Sequence, residues 1–350
     1  MLRKICVSLL LLALTLPIWA GGSKDAAPAV QPEVQPQAQA QGPVLSGKKV
    51  IVADANSTHH LNLYVAYEKG LFAKRGLEVE IQQTSSGVAA VVGGEADIVF
   101  NCPTGVITPI AKGQSIIIVS QVKIPCTSVL VVPVNSPIKN PGDLKNLQLA
   151  GLSNTCCAVI AIRDTLKSQY STEFELVALA PGAALAALEG AAVKGAILEE
   201  PFVAEALLLK DAAGNPKYKT IFDGHSDANG DGTIDKNLAG EDPPCRTINA
   251  NTTFIKDRLG DAKVFIEAIA EADQIILANP VASDIVAIAH KYVPNVSEQA
   301  IINSNPKLGF TTHLDTHHLI GYAQALVNQG TIDTNPGDKL FAPEFKGITW

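Results

Sequence analysis

The sequence has few charged and few aromatic side chains. Charged residues make up 17% of its 350 residues and aromatic residues 5%, and only five residues are arginines. The formal net charge is −7, and it becomes −9 without Arg3 and Lys4. Proteins that bind nucleic acids neutralise phosphates with a basic surface and stack bases on aromatic rings. A nucleic-acid partner is therefore not expected.

Apolar residues, in contrast, are abundant. They make up 47% of the chain, which is enough for sizeable cores and excludes intrinsic disorder for most of its length. A domain usually has about 100 to 200 residues, so this length predicts two compact units.

The first 20 residues are typical of an export signal peptide. Arg3 and Lys4 supply the positive end, residues 5–16 are apolar, and Ile18-Trp19-Ala20 provides a cleavage site with a small residue. An apolar run of about a dozen residues is shorter than the roughly 20 that span a bilayer. The sequence thus predicts a periplasmic or other extracytoplasmic protein.

Residues 21–47 form a low-complexity segment, rich in Ala, Gln, Pro and Gly, that is typical of a flexible linker. Gly21 stands where a lipoprotein would carry its lipidated cysteine, so lipid anchoring is not predicted. Two interpretations stay open: the mature protein is soluble, or position 21 is not the native residue.

Short strand-like runs alternate with helical stretches from residue 48 onward. Val50 to Ala53 is typical of a strand, Leu61 to Ala73 has apolar residues at helical spacing, and Leu77 to Ile81 alternates as a strand again. Repeats of strand, helix and strand at this length indicate parallel strands joined by right-handed crossovers. The predicted fold class is α/β.

The same pattern indicates two lobes. Val129 to Val134 is an apolar strand that ends at a turn, and Thr247 to Asn251 is a later strand that leads into long helices. We interpret residues 136–246 as a second lobe inserted into a first lobe of residues 48–135 and 247–350. Two hinge-crossing strands would leave a cleft between the lobes, suited to a small ligand.

Several segments resemble solute-binding proteins for nitrate, sulfonates, taurine and thiamine-pyrimidine precursors. The longest is HLNLYVAYEKGLFAKRGLEVE, residues 60–80, and shorter matches follow in the family's order at 94–98, 140–145 and 199–202. The resemblance implies a type II periplasmic binding-protein fold that delivers its ligand to an ABC importer. The implied partners are a small molecule and an ABC permease in the membrane, and we expect a monomer.

Polar residues follow the predicted strands at three junctions, and helix N-termini at such junctions direct unpaired N–H groups toward a cleft. The resemblance implies a fourth cleft element at residues 199–201. The predicted ligand-binding residues are Ser57, His59, His60, Asn101, Cys102, Thr104, Asn154, Thr155, Cys156, Cys157 and Glu200. The alternative is that these side chains only cap their own helices.

The candidate residues suggest the class of ligand. They include no arginine, and their most prominent charge is Glu199 or Glu200, so a strongly anionic ligand is less favoured. We expect a heteroaromatic molecule, an amine-bearing molecule or a small organic acid. The histidines and cysteines also suit a soft metal or a metal chelate. Adjacent Cys156 and Cys157 do not match the spaced pairs of a zinc site, and either could be a buried small hydrophobe.

No nucleophile elbow, metal-hydrolase motif or catalytic triad is visible, so a binding protein is favoured over an enzyme. A thiamine-pyrimidine synthase is the enzymatic alternative, because the resemblance extends to synthases with a cysteine-rich motif and a reactive histidine. A sensor ectodomain or an extracytoplasmic scavenger is a third interpretation.

The segment from Asp227 to Asp235 resembles an EF-hand loop, with oxygen ligands at alternate positions and glycine at position 6. Leu238 occupies position 12, where such loops carry a bidentate Glu. A structural Ca²⁺ is predicted in loop 227–238, and the alternative is a solvated turn. The predicted ligands are Asp227, Asn229, Asp231, Thr233, Asp235 and Glu241.

Five cysteines remain after removal of the leader, an odd number for an oxidising compartment. Cys126 and Cys245 each precede a predicted crossing strand. A disulfide between them is the favoured pairing, although sequence alone does not determine connectivity.

Overall fold

The computed structural model describes residues 43–123, 128–223, 244–348 and 350. Within these ranges, none of the helices has both the length and the apolar character needed to cross a membrane. The described strands are β1 (Val50–Asp54), β2 (Val79–Gln83), β3 (Ile98–Asn101), β4 (Ile117–Lys123), β5 (Ser128–Pro133), β6 (Gln148–Gly151), β7 (Glu175–Ala178), β8 (Gly195–Glu199), β9 (Tyr218–Asp223) and β10 (Arg246–Ala250).

Helices follow most of the parallel strands, and the last five helices follow β10 one after another. The described helices are α1 (Leu61–Glu68), α2 (Leu71–Lys74), α3 (Gly87–Gly93), α4 (Pro103–Ala111), α5 (Cys157–Tyr170), α6 (Pro181–Glu189), α7 (Phe202–Leu208), α8 (Thr252–Asp257), α9 (Leu259–Ala278), α10 (Ser283–Tyr292), α11 (Glu298–Ser304) and α12 (Thr316–Asn328). The predicted α/β class is confirmed.

The strands form two five-stranded sheets with the same plan. The first has the order β2-β1-β3-β10-β4, and the second has the order β7-β6-β8-β5-β9. In each sheet the first three strands are parallel, and the fourth runs antiparallel to both of its neighbours. The fourth strand of the first sheet, β10, comes from beyond the second sheet in the chain. The strands of the second sheet therefore lie, in chain order, between β4 and β10 of the first.

The structure differs from the prediction in the place of β5. The sequence pattern predicts that residues up to 135 belong to the first lobe, whereas β5 pairs with β8 and β9 in the second sheet. β4 is thus the last described strand of the first sheet before the second sheet begins with β5, and β10 is again a strand of the first sheet. β4 and β5 are both apolar strands, so their composition could not show to which sheet each belongs.

Helix–sheet packing produces the core of the first sheet. Side chains of β1, α1 and α9 meet in one buried apolar cluster, in which the rings of Phe72 and Phe265 stack with centroids 4.9 Å apart. α1 and α2 are separated at Gly70, whose φ of 66° is readily adopted only by glycine. After this break, α2 packs against α9.

Candidate functional site

A cavity of about 730 Å³ lies between the two sheets, at the carboxyl ends of their parallel strands. Loops that follow β1, β3, β6 and β8 line it, so both sheets contribute side chains. This is the arrangement expected for a ligand site in α/β folds, because helix N-termini and loop side chains converge there. Its polar and ionisable lining residues are Asn56, Ser57, Thr58, His60, Ser85, Asn101, Cys102, Ser153, Thr155, Cys156, Glu199, Glu200, Arg246 and Asn295.

His60 belongs to a buried hydrogen-bond network at the cavity. Its Nδ1 lies 2.7 Å from Oδ1 of Asp54, the last residue of β1, and the ring is 2% exposed. Oδ2 of the same carboxylate accepts a hydrogen bond of 2.7 Å from the Tyr64 hydroxyl. This buried network fixes the imidazole ring. Its other nitrogen, Nε2, has no hydrogen-bond partner among the described residues.

The carboxylate beneath His60 keeps its charge. Burial alone would raise the pKa of Asp54, but the hydrogen bonds from His60 and Tyr64 more than offset burial and hold that pKa below its usual value. Burial, together with the Asp54 charge, raises the pKa of Tyr64 well above its ordinary range, so the hydroxyl remains a donor. When Asp54 accepts from Nδ1–H, the remaining nitrogen of the neutral imidazole, Nε2, is a hydrogen-bond acceptor.

A buried ion pair lies beside this network. Nη2 of Arg246 donates to Oε2 of Glu199 at 2.8 Å, and the two residues are 8% and 5% exposed. His59 Nδ1 lies 3.5 Å from the same carboxylate oxygen. Burial raises the pKa of Glu199 even though the Arg246 charge opposes this rise. The pair joins the end of β8 in the second sheet to the start of β10 in the first.

The second glutamate of this segment is also paired. Lys307 Nζ lies 2.6 Å from Oε1 of Glu200, and the backbone N–H of Ala204 donates to Oε2 at 3.1 Å. Thr58 reaches the Glu200 carbonyl oxygen with its hydroxyl at 3.5 Å. Both carboxylates of the cavity therefore already have cationic partners.

Four cysteines lie near one another at the side of the cavity. Cys102 caps α4 and Cys156 caps α5, whose first residue is Cys157. The backbone N–H of Cys157 donates to Cys102 Sγ at 3.2 Å. Cys245 Sγ lies 3.3 Å from Nη1 of Arg246. Burial raises the pKa of Cys102, but hydrogen bonds from the neighbouring thiols and the Arg246 charge bring it well below its usual value.

Seven of the predicted ligand-binding residues line the cavity, namely Ser57, His60, Asn101, Cys102, Thr155, Cys156 and Glu200. Three others, His59, Thr104 and Cys157, are fully buried and do not line it; Thr104, for example, donates to the Thr155 carbonyl oxygen. Asn154 instead lines a separate cavity near α12. The structure thus brings most of the predicted set together.

Sequence reasoning missed part of the lining. Glu199 is adjacent to the predicted residue Glu200, and Thr58 lies between the predicted residues Ser57 and His59, so either could have been included. Arg246 was not foreseen, and the expectation of a cleft without arginine is wrong. In the sequence, Arg246 follows turn residues, which do not indicate a cleft position. Arg246 lies at the cavity because of the sheet topology, since it is the first residue of β10.

Two predictions fall outside the described residues. All six predicted calcium ligands, from Asp227 to Glu241, lie in the segment 224–243, and Cys126 lies in the segment 124–127. The calcium loop and the Cys126–Cys245 disulfide stay predictions.

Two α/β sheets with this strand order and a cavity between their carboxyl ends define the fold of the periplasmic binding proteins. The chain is similar to the periplasmic aliphatic sulphonate binding protein of Escherichia coli, with a TM-score of 0.62 at 16% identity over 82% of this chain and 89% of that one. It is also similar to the periplasmic nitrate-binding protein of Synechocystis PCC 6803, with a TM-score of 0.66 at 13% identity over 85% of both chains.

A third similar structure is the ligand-binding component of an ABC-type import system from Staphylococcus aureus with zinc bound. Its TM-score is 0.67 at 13% identity, over 86% of this chain and 99% of that one. At such low sequence identity, these similarities show only that the fold is shared. The predicted type II periplasmic binding-protein fold is confirmed.

Residues 57–184 match the NMT1/THI5-like family model. The match covers the part of the chain in which the sequence resemblance to nitrate, sulfonate and thiamine-pyrimidine-precursor proteins was strongest. No curated protein matches the chain significantly.

Proposed function

We propose that this protein is the extracytoplasmic solute-binding component of an ABC importer and that it holds one small molecule in the cavity between its two sheets. The observation that carries the proposal is His60 Nε2, a buried nitrogen at the cavity without a hydrogen-bond partner in the described part of the chain. An unpaired buried polar atom costs about 1–3 kcal/mol, and a bound solute would remove that cost. The fold and the family match support the same function.

The charges in the cavity favour a neutral or weakly charged solute. The cationic group of Arg246 is matched by Glu199, and that of Lys307 is matched by Glu200. A strongly anionic ligand would have to displace one of these carboxylates. The rings of Phe100 and Phe202 also line the cavity, next to the small residues Ala180 and Gly182. We therefore propose a heteroaromatic or amine-bearing molecule or a small organic acid.

The setting of the protein is part of the same proposal. Export by the leader, release into the periplasm without a lipid anchor, a monomeric state and delivery to a membrane permease all fit a solute-binding protein. We propose binding rather than catalysis, and we keep the structural Ca²⁺ in loop 227–238 as a proposal for the stability of the second lobe.

A thermal-shift panel tests this function. The panel contains an aminopyrimidine, a primary amine, a short carboxylate, nitrate and the sulfonate MOPS. At 100 times its Kd, a bound solute adds about 2.7 kcal/mol to the stability, so for a folded chain of this size we expect one class to raise the Tm by about 4 °C.

His60→Asn is the diagnostic variant, because the Asn side chain can keep the hydrogen bond to Asp54 but cannot reach the cavity as Nε2 does. We expect it to lose most of the shift. His290→Asn, whose ring lies at the end of α10 with Nδ1 3.0 Å from the Val296 carbonyl oxygen, is the matched control and should keep it. A panel without any shift, or an equal shift in His60→Asn, would overturn the proposal.

A further inference from the structure

Three thiols from both sides of the cavity meet at one point. Cys102 follows β3 of the first sheet, whereas Cys156 and Cys157 follow β6 of the second. Their three sulfur atoms all lie within 4.8 Å of one another. Sulfur atoms bound to one metal ion at about 2.3 Å are separated by roughly 4 Å. Small side-chain adjustments would therefore place all three around a single ion.

The cavity gives access to this group of thiols. Cys102 is partly exposed, and both Cys102 and Cys156 line the cavity. Cys157 lies directly behind them and is fully buried, with its Sγ 3.9 Å from the Cys245 carbonyl oxygen. An ion that entered through the cavity would meet the sulfur atoms of Cys102 and Cys156 first and that of Cys157 last.

The surroundings can compensate for thiolate charge. Cys102 and Cys156 cap α4 and α5, so the N-terminal dipoles of both helices face the group. The backbone N–H of Cys157 donates to Cys102 Sγ. These features suit a site that carries net negative charge.

We propose that Cys102, Cys156 and Cys157 bind one soft metal ion of the Cu(I) type. Thiolates select Cu(I), Zn²⁺ and iron–sulfur clusters. Structural Zn²⁺ sites have four protein ligands in a tetrahedron, whereas three sulfurs around one point suit a three-coordinate Cu(I) ion. The ion would bind at the wall of the cavity proposed for the organic solute, so this inference goes beyond the proposed function and adds a second kind of ligand at that cavity. Thiols from both sheets would ligate the ion, so binding would hold the two sheets together.

The test is an anaerobic titration of the reduced, full-length protein with Cu(I) in competition with a chromophoric Cu(I) chelator. We expect one Cu(I) per chain. The variants Cys102→Ser, Cys156→Ser and Cys157→Ser should each weaken binding at least 100-fold. Cys245→Ser is the matched control, since it removes a neighbouring buried thiol outside the trio, and it should change the affinity less than tenfold.

X-ray absorption of the copper-loaded wild-type protein keeps the inference testable if a variant fails to fold. It should show three sulfur ligands. No Cu(I) uptake, fewer than three sulfurs, or equal weakening by Cys245→Ser would overturn the inference. A chain that takes up no Cu(I) but responds to an organic compound in the thermal-shift panel would retain the proposed function and lose only this metal site.

Discussion

The variant Glu199→Gln is expected to lower the free energy of unfolding by about 3–5 kcal/mol. Glu199 and Arg246 are almost completely buried, and their contact of 2.8 Å is the main compensation for the guanidinium charge. Breaking a buried ion pair by removing one partner leaves the other charge uncompensated, which costs about that amount. Urea denaturation of the wild type and the variant measures the difference.

Two further variants make this test specific. Glu189→Gln removes an ion pair with Lys217 in which both side chains are 40% exposed, and it should cost no more than about 1 kcal/mol. The double variant Glu199→Gln, Arg246→Met removes both charges and should recover most of the lost stability. A loss in Glu199→Gln no larger than that in Glu189→Gln would contradict the assignment of a buried pair across the two sheets.

Asp273→Asn is expected to stabilise the protein, and the gain should grow with pH. Asp273 lies on α9, where Asn62 Nδ2 donates to its Oδ1 at 2.7 Å. Its Oδ2 is buried and has no hydrogen-bond partner among the described residues. Burial raises the pKa of Asp273 from its ordinary value of 3.8 to about 8.

The direction of the effect follows from proton linkage. Between pH 3.8 and 8 the folded chain holds a proton on Asp273 that the unfolded chain has lost, so this residue lowers stability as the pH rises. The asparagine side chain does not titrate in this pH range, so the variant does not lose stability in this way. The advantage of Asp273→Asn should therefore be greater at pH 8 than at pH 5 by on the order of 3 kcal/mol, since one pKa unit corresponds to about 1.4 kcal/mol.

Denaturation curves at pH 5 and pH 8 measure this change. Asp284→Asn is the control, because the hydrogen bond from Lys69 lowers the pKa of Asp284 and keeps it ionised at both values. Its stability difference from the wild type should be the same at pH 5 and pH 8. An equally constant difference for Asp273→Asn would show that the buried carboxyl is not protonated in the folded chain.

Much of the fold could be predicted because its local signals agree with its final structure. The strand-like residues from Val50 to Ala53 lie in β1, and the apolar residues at helical spacing from Leu61 onward begin α1. The break at Gly70 could not be read from the apolar spacing, which continues through it. The partner of β5 was also beyond local signals, since pairing depends on contacts between residues distant in the chain, such as Leu130 with Ile197.

The candidate site could also be predicted only in part. Residues directly after strands, such as Ser57 and Cys102, could be predicted because the ends of parallel strands meet at one edge. How deeply each side chain is buried could not be predicted from the sequence. His59 and His60 are both predicted to bind the ligand, although only His60 lines the cavity. Arg246 was missed because β10 is antiparallel, so that its first residue, rather than its last, reaches the cavity.

The most direct test of the central claim is a crystal structure of the protein with the panel compound that raises the Tm most. We expect one molecule between the two sheets, with a polar atom about 3 Å from His60 Nε2 and contacts to residues after both β3 and β8. A compound bound outside this cavity, or one that contacts only one of the two sheets, would contradict the account.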